Sequence, residues 1–549
     1  MTGGGSRYDA IVVGGGHNGL VCAAYLALDG LRTVVLERRR EVGGMAATHE
    51  LLPGVRVPAL AHTLGRLRPS IVRDLHLREH GLALVQPEVR AWAPQPDGRS
   101  LTLWGDAERT AAHLADSGLV SAADARAYAD NDGRLRALGS AIAVLMSRPP
   151  PDITHAGLGD ALDGLRAGLA ARARARSEPG GLLRVTPMSV ADLLAEWFAS
   201  DALRAVVAAR ALQYTSWEPR NPGTAALLLT DTAGNDGGMA GQTVYARGGP
   251  GALGQALESA ARALGAEVRT GAEVVAVRRS GEAVCGVALA SGEEVDAPVV
   301  VSGLDPRQTL LRLLEPEVLG PRLGWRAGNI RQRGATGKVN LALGALPAFR
   351  GLDGNGTDPR LRGRIVIAPT TTYVEQAARA GKYDRLADAP VLEATIPSLV
   401  DPGLVDTRRR RRKAAHVVSV IVQPAPYELR DAGWDAQRQT LGHGVLRTLD
   451  AYAPGIAELV EEMQVITPLD IESEWGATEG HALHAEAGLD QWFAWRPLHG
   501  YGRYRLPLEG LYLCGSGAHP GGGVTGGPGQ LAAREVLADW ARRRDRSHA

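Results

Sequence analysis

The chain of 549 residues contains only three cysteines, Cys22, Cys285 and Cys514. Their spacing matches no metal-binding pattern, and three thiols cannot build a disulfide framework. A disulfide-stapled secreted scaffold is therefore excluded, and a reducing compartment is favoured. The sequence also contains no convincing catalytic triad, metal cluster or redox CxxC pair, and we expect no metal site.

Neither sign of charge dominates the chain, because 61 Lys and Arg residues stand against 60 Asp and Glu residues, a net charge of +1. Such a balance creates no global field that would recruit nucleic acid. Lysine itself is rare and occurs only at 338, 382 and 413, so almost all cations are arginines. We expect no nucleic-acid partner.

Long apolar runs are missing as well, since no stretch reaches the roughly 20 residues that a membrane-spanning helix needs. The N-terminus, with glycines at 3–5, carries no signal-peptide pattern. We therefore expect a cytoplasmic protein that is soluble or attached peripherally to a membrane. The hydrophobic content of 45% is ample for a large core, and 549 residues suggest several domains.

What the chain does contain is a strong dinucleotide-binding pattern over residues 8–44. The β-branched residues at 11–13 predict a buried parallel strand, which leads directly into the motif Gly14-x-Gly16-x-x-Gly19. A helix rich in small residues follows to about Leu28, and a second strand ends in Glu37. Because strand, helix, second strand and terminal acid all stand in order, a mere glycine turn is the weaker interpretation.

Each position of this pattern has a physical role in a dinucleotide site. Gly14 permits the tight turn, Gly16 lets the backbone approach a pyrophosphate, and Gly19 lets the helix pack closely on the strand. The helix N-terminus offers N–H groups and a positive dipole end to the phosphates. Glu37 is placed to accept hydrogen bonds from ribose hydroxyls, and its carboxylate argues against a 2′-phosphate.

A second formal motif, Gly249-x-Gly251-x-x-Gly254, is not expected to bind a nucleotide. Pro250 stands where the loop would have to donate an N–H group to phosphate. The segment before it, 243–246, is short and polar, and no acid closes a second strand at the right distance. We interpret this motif as a turn that starts a structural helix.

The residues after Glu37 complete a pattern that resembles the FAD-binding start of the phytoene desaturase, carotenoid isomerase and amine oxidase superfamily. They are Arg38, Arg39, Gly43 and Gly44. Within that superfamily, the run His17-Asn18-Gly19 is similar to the phytoene-dehydrogenase-like FAD oxidoreductases, the branch of pyridine nucleotide-disulfide oxidoreductase domain-containing protein 2. The C-terminal segments 496–505 and 510–524 resemble the same branch, so the resemblance covers essentially the whole chain.

The resemblance implies an α/β fold, a two-domain FAD-binding flavoprotein of the Rossmann type. Its FAD domain is discontinuous and is expected at 1–85, 243–310 and 501–549. A mixed α+β substrate or cap domain is expected at 86–242 and 311–500.

The resemblance also implies a set of FAD-binding residues. The glycine motif and the paired glycines would pass along the pyrophosphate, a backbone contact is expected at the adenine, and the C-terminal loop would run along the flavin. In this sequence these residues are Gly14, Gly15, Gly16, His17, Asn18, Gly19, Glu37, Arg38, Gly43, Gly44, Val274, Gly515, Gly523 and Val524.

The implied reaction moves a hydride or an electron pair between the flavin and an apolar, unsaturated, carotenoid-like substrate. An amine oxidase-like enzyme is the alternative, but such a site wants an aromatic cage, and the chain has only 5% aromatic residues and three phenylalanines. A low-turnover flavoprotein with a regulatory or interaction role is a third hypothesis. The oligomeric state stays open.

No residue presents itself as a strong catalytic candidate. His519 borders the C-terminal glycine loop and could polarise the flavin or a substrate, although capping of local backbone is the commoner role of such a histidine. Cys514 could tether a flavin, but its place at a strand end favours a buried structural thiol. Further candidates for the wall of a substrate cavity are His62, Tyr214, Tyr427 and Trp495.

Two surface segments have a membrane-related alternative. Over 158–176, four leucines share one helix face and arginines lie elsewhere, which is typical of an ordinary surface helix and less often of a helix lying on a membrane. The six bases at 408–413 favour a solvated loop over a contact with anionic lipid or an acidic partner.

Overall fold

The computed structural model describes residues 8–154, 157–175, 180–233, 241–354, 356–406, 408 and 414–548. Most of the predicted six-base run therefore lies outside the described residues. The strands, in chain order, are β1 (Ala10–Val13), β2 (Thr33–Glu37), β3 (Thr48–Leu52), β4 (Val55–Pro58), β5 (Leu84–Val85), β6 (Val89–Pro94), β7 (Ser100–Trp104), β8 (Tyr245–Ala246), β9 (Glu267–Thr270), β10 (Val274–Ser280), β11 (Ala283–Leu289), β12 (Glu294–Asp296), β13 (Val300–Ser302), β14 (Gly337–Leu343), β15 (Arg364–Ile367), β16 (Val391–Thr395), β17 (His416–Gln423), β18 (Val460–Ile466) and β19 (Leu511–Leu513).

The α-helices, in chain order, are α1 (His17–Leu28), α2 (Pro69–Asp74), α3 (Ala107–Asp116), α4 (Ala122–Met146), α5 (Leu158–Arg174), α6 (Gly181–Val185), α7 (Val190–Trp197), α8 (Asp201–Ala211), α9 (Thr224–Thr232), α10 (Gly251–Ala263), α11 (Pro316–Gly328), α12 (Thr371–Lys382), α13 (Trp434–Asp450), α14 (Pro468–Trp475) and α15 (Gly527–His548).

The first sheet is parallel and has the strand order β19-β13-β1-β2-β9. Its central strand β1 is buried along its whole length, as expected for a continuous apolar run in a parallel sheet. Helix α1 packs between α10 and α15, and its small residues Ala23 and Ala24 are fully buried at these contacts. The helix stops before Gly30, whose φ of +88° suits glycine.

A three-stranded antiparallel meander, β10-β11-β12, accompanies this sheet. The strands of both sheets lie in the segments 1–85, 243–310 and 501–549. The core that they form also takes in Leu313, Leu323 and Ile330, so apolar residues beyond 310 pack against it.

The second large sheet has seven strands in the order β18-β14-β17-β16-β15-β6-β7, and all its strands lie within 86–242 and 311–500. It is antiparallel except where β15 runs parallel to β6. Along β6, Ala91 and Ala93 join a core formed with the helical layer, while Trp92 joins a core on the other face that includes α13. The predicted α/β fold of the Rossmann type is confirmed.

No helix among the described residues is long and apolar enough to cross a lipid bilayer. Helix α5 has an apolar stripe on its outside, because Leu162, Leu165 and Leu169 are each more than half exposed.

Candidate functional site

A cavity of about 320 Å³, within the range of ligand-binding pockets, is lined by residues of both large sheets. The predicted cofactor residues in its wall are Gly14, Gly16, His17, Asn18, Gly19, Glu37, Arg38, Gly44, Val274, Gly523 and Val524. Gly15, Gly43 and Gly515 lie behind this wall, and each packs against a segment that forms it. Thus residues that lie more than 500 positions apart in the chain, such as Gly14 and Gly523, face one space.

The geometry of the first glycine loop explains why each glycine is required. Gly14 has a φ of +95°, and a Cβ on Gly19 would lie 2.1 Å from the Gly14 carbonyl oxygen. Gly16, by contrast, would direct a Cβ into open space, with no protein atom within 4 Å. This open space at the N-terminus of α1 is where a pyrophosphate is expected to lie against the backbone.

Glu37 holds the same loop by two charge-assisted hydrogen bonds. Its Oε2 accepts from the Gly15 N–H at 2.6 Å, and its Oε1 accepts from the Arg39 N–H at 2.8 Å. A carboxylate has further lone pairs, so these bonds leave acceptor capacity for ligand hydroxyl groups. Next to it, the Arg38 guanidinium donates to the carbonyl groups of Ser473 and Glu474, which ties the loop to the end of α14.

The second glycine motif supports the cofactor loop from behind. A Cβ on Gly254 would lie 2.8 Å from the Gly43 Cα, so α10 packs directly on that loop. Gly43 in turn donates its N–H to the Gly15 carbonyl at 2.9 Å, and a Cβ on Gly44 would lie 3.3 Å from the Gly16 Cα. The structure thus gives Gly254 a packing role, because the space in front of its Cα is occupied by protein atoms and leaves no room for a phosphate.

The C-terminal glycine loop lines the cavity beside the N-terminus of α1. Gly523 has a φ of +94°, and its backbone lies close to the His17 imidazole. Burial lowers the pKa of His17 to about 4, so its imidazole is neutral at physiological pH. Gly515 lies deeper, where a Cβ would come within 2.5 Å of the Leu304 carbonyl oxygen.

His519 does not line the cavity. Its imidazole is buried against the ring of Phe493, with centroids 5.7 Å apart, and burial followed by the nearby Arg68 charge lowers its pKa to about 3. Its carbonyl accepts a hydrogen bond from the Tyr504 hydroxyl at 3.0 Å. These contacts favour the structural interpretation of His519 over the catalytic one.

Cys514 is buried as well, and it hydrogen-bonds Cys22 of α1 in the interior. Of the predicted wall residues, Tyr214 lines the cavity. Tyr427 instead donates a hydrogen bond to Glu472, and Trp495 is half exposed and stacks on His499.

A buried polar cluster lies at the far wall of the cavity: Gln213, Arg364 and Glu393 line the cavity, and a histidine and a lysine that do not line it complete the cluster. Of this cluster the sequence indicated only the histidine, His62, which therefore lies behind the wall and not in it. Glu393 accepts from the Arg364 guanidinium at 3.0 Å and from the Gln213 amide at 2.9 Å. His62 Nε2 contacts the same carboxylate at 3.1 Å, while Lys338 donates to His62 Nδ1 at 3.2 Å. An ionised carboxylate can only accept, so the imidazole proton lies on Nε2, which donates to Glu393, and Nδ1 accepts from the Lys338 amine.

Burial sets the protonation states of this cluster. It lowers the pKa of Lys338 well below the ordinary value, and it lowers the pKa of His62 to about 4, with the charge of Lys338 acting in the same direction. Burial alone would raise the pKa of Glu393, but the Arg364 charge and the His62 hydrogen bond outweigh it and keep that pKa below its ordinary value. At neutral pH the cluster therefore holds an ionised Glu393 beside a neutral imidazole.

The residues present fit a bound dinucleotide. Beside the open backbone of Gly16, the buried atoms His17 Nε2 and Asn18 Oδ1 have no hydrogen-bond partner among the described residues. Buried polar atoms are normally satisfied, so these atoms at a helix N-terminus indicate a polar ligand. Glu37 and the glycine loops complete the set of groups that FAD would contact.

Family models match two parts of the chain. The NAD(P)-binding Rossmann-like domain matches residues 12–75, which contain β1, α1 and the glycine loop. The flavin containing amine oxidoreductase family matches residues 207–386, which contain Arg364 and Lys338.

Two curated proteins and one solved structure place these matches in context. Pyridine nucleotide-disulfide oxidoreductase domain-containing protein 2 of Rattus norvegicus is 35% identical over 97% of this chain and 94% of its own. A phytoene desaturase (neurosporene-forming) of Cereibacter sphaeroides is 30% identical over 54% of this chain and 53% of its own. The crystal structure of an oxidoreductase from Methanosarcina mazei superposes with a TM-score of 0.60 at 16% identity, covering 96% of this chain and 99% of that chain, which shows a common fold.

Proposed function

Because the chain belongs to the family of pyridine nucleotide-disulfide oxidoreductase domain-containing protein 2, as its motifs predicted, and is an FAD-dependent oxidoreductase, we propose that it dehydrogenates or isomerises an apolar, unsaturated substrate. FAD supplies the electron-pair chemistry when bound. The glycine loops and α1 would hold its pyrophosphate, Glu37 its ribose, and the loop ending in Gly523 and Val524 its flavin.

One observation carries this proposal: a single cavity joins the glycine loops to the seven-stranded sheet. A substrate in the outer part of that cavity would lie beside the C-terminal loop and would be held against the flavin. The walls there exclude water by apolar contacts, which come from Leu60, Ala61, Ala211, Leu227, Leu483 and Trp492. The similarity to a phytoene desaturase supports an unsaturated hydrocarbon body for the substrate.

In this proposal the polar cluster has a positioning role. Its ionised Glu393 and neutral His62 are hydrogen-bonded to each other. Arg364 and Gln213 hold Glu393 by further hydrogen bonds, and Lys338 holds His62. The cluster therefore holds the far wall of the cavity rigid and presents fixed dipoles to the substrate.

An amine oxidase activity is the alternative, favoured by the family model over 207–386. A protonated amine would need a carboxylate that is free to pair with it. At the end of the cavity formed by the seven-stranded sheet and helices α8 and α9, Glu393 already pairs with Arg364, and Asp231 already pairs with Arg210. This charge arrangement weighs against an amine, and a low-turnover regulatory flavoprotein is the remaining hypothesis.

An anaerobic flavin-reduction experiment tests the proposal. The FAD-loaded protein is mixed with a panel of carotenes and shorter unsaturated compounds in liposomes, with the flavin oxidised or reduced beforehand, and flavin colour and products are followed. We expect bleaching with a lengthened polyene, or isomer exchange only with reduced flavin. Bleaching by amines alone would refute the proposal in favour of amine oxidation, and no bleaching by any compound would favour the regulatory hypothesis.

A poorly water-soluble substrate would reach the enzyme from a membrane surface, and we propose a peripheral contact through α5. Its exposed leucines Leu162, Leu165 and Leu169 would enter the interface, and the cationic Arg166 would lie near lipid phosphates.

A further inference from the structure

The wall of the cavity carries more charge than an uncharged hydrocarbon requires. Two ion pairs lie side by side, Arg364 with Glu393 on neighbouring strands and Arg210 with Asp231 on α8 and α9. All four side chains line the cavity. Because each guanidinium is matched by one carboxylate, these four residues together contribute no net charge.

Arg66 is a further guanidinium in the same wall, and no ion pair within 4 Å is found for it among the described residues. The nearby carboxylate of Asp231 attracts it but is already paired with Arg210. Its Nη2 donates to the Thr230 carbonyl at 3.3 Å, and its buried Nε has no hydrogen-bond partner among those residues. A guanidinium carries five N–H donors, so most of its donor capacity is unused. An unpaired buried charge is costly, and a ligand that neutralises it would be favoured.

Tyr214 lines the same cavity as Arg66, and the two side chains are close enough to interact electrostatically. Its backbone has a φ of +67°, in the left-handed region that a residue with a large side chain rarely adopts. Such conformations are energetically unfavourable and persist where the surrounding structure or function demands them. Tyr214 thereby contributes a phenol side chain to the wall that also contains Arg66.

We propose that Arg66 and Tyr214 bind a carboxylate group on the substrate. The proposal rests on the proposed function and specifies the substrate class, an apolar, unsaturated molecule that carries one carboxylate. Within the group formed by the two ion pairs and Arg66, three guanidinium groups stand against two carboxylates, and the excess of one positive charge matches a monoanion. A planar carboxylate also matches the planar guanidinium fork and can accept a second hydrogen bond from the tyrosine hydroxyl.

The competing role for Arg66 lies closer to the cofactor. A Cβ on Gly523 would lie 2.7 Å from Arg66 Nη1, and Gly523 belongs to the loop expected to follow the flavin. Arg66 could therefore stabilise negative charge on the reduced flavin instead of binding a group of the substrate. Binding to the oxidised enzyme separates the two roles, because oxidised flavin is uncharged.

The test is a binding titration of the FAD-loaded, oxidised protein with cinnamate and hexanoate and with their neutral amides. Binding is read from the flavin difference spectrum and from calorimetry, so turnover is not needed. We expect the acids to bind at least tenfold more tightly than the amides, and Arg66→Gln to abolish most of that preference. Tyr214→Phe should reduce it three- to tenfold, Arg66→Lys should retain part of it, and Arg126→Gln, at an exposed position of α4, should not change it.

Several results would overturn the carboxylate site. The first is equal affinity of acids and amides for the unaltered protein, which requires no variant to fold. The second is an unchanged acid preference in Arg66→Gln together with a lowered flavin reduction potential, which would assign Arg66 to the flavin. If uncharged polyenes bleach the flavin while acids do not bind, the carboxylate site fails and the proposed function stands. If acids bind through Arg66 but nothing bleaches the flavin, the proposed function fails and the carboxylate site stands.

Discussion

Replacing His62 by glutamine should reduce the amount by which the free energy of unfolding falls as pH is lowered below neutral. In the folded protein burial lowers the pKa of His62 from 6.5 to about 4. A group whose folded-state pKa is depressed contributes stability above its unfolded pKa and loses it as pH falls towards the folded pKa. The relevant window therefore runs from about pH 6.5 down to about pH 4. A glutamine side chain would fill a similar volume and cannot be protonated.

The size of the effect follows from the two pKa values. At pH 4.5 the unfolded imidazole is almost fully protonated while the folded one is mostly neutral, which costs about 2.5 kcal/mol relative to pH 8. With an unfolding entropy of about 2.1 cal/mol/K per residue, a chain of 549 residues changes its melting temperature by about 1 °C per kcal/mol. The unaltered protein should thus lose about 2–3 °C more than the variant between these pH values.

The assay is thermal unfolding of the FAD-loaded protein at closely spaced pH values from 8 to 4.5. The lost hydrogen bond to Glu393 shifts the whole curve of the variant, so only the difference in slope is used. The exposed His499→Gln is the matched control and should follow the curve of the unaltered protein. Parallel curves for His62→Gln and the unaltered protein would refute the assigned protonation state of the cluster.

Three further predictions use other parts of the site. Lys338→Met removes a charge that lowers the His62 pKa, so the melting temperature should fall less steeply between pH 6.5 and pH 4.5. An unchanged slope in that range would contradict the Lys338–His62 contact. The added methyl group of Gly16→Ala meets no protein atom, so this variant should fold normally but bind FAD at least tenfold more weakly in a fluorescence titration. The control Gly133→Ala, in α4, should leave the FAD affinity unchanged. Equal FAD affinities of the two variants would exclude Gly16 from the pyrophosphate site. Replacing the exposed α5 leucines Leu162, Leu165 and Leu169 by serine should lower binding to vesicles that contain anionic phospholipid at least tenfold in a sedimentation assay. Equal binding of the variant and the unaltered protein would exclude α5 as the membrane contact.

The cofactor end of the site could be predicted from the sequence because its constraints are local. The spacing from Gly14 to Gly19 encodes a turn, an open backbone and a close contact within one strand and one helix, and the structure has all three. Glu37 could be placed for the same reason, at the end of the next strand. The loop at Gly523 could be placed because it resembled a known family segment.

The substrate end could not be predicted, because its residues meet only through sheet register and domain contact. Arg364 and Glu393 lie on antiparallel neighbours β15 and β16, and Lys338 lies on β14, beyond β17. His62 approaches them from a loop 276 positions away from Lys338. No periodicity in the sequence marks such a meeting. His519 illustrates the converse, since adjacency to a glycine loop does not determine which way an imidazole turns.

The contact between Gly254 and Gly43 has a consequence for reading natural variation in this chain. Gly254 lies outside the cavity wall, yet any side chain at this position would push α10 away from the loop that carries Gly43 and Gly44. A missense change there would be classed as remote from the active site by distance alone. Its biochemical phenotype would nevertheless be loss of cofactor, and riboflavin or FAD supplementation would be the rational first attempt at rescue.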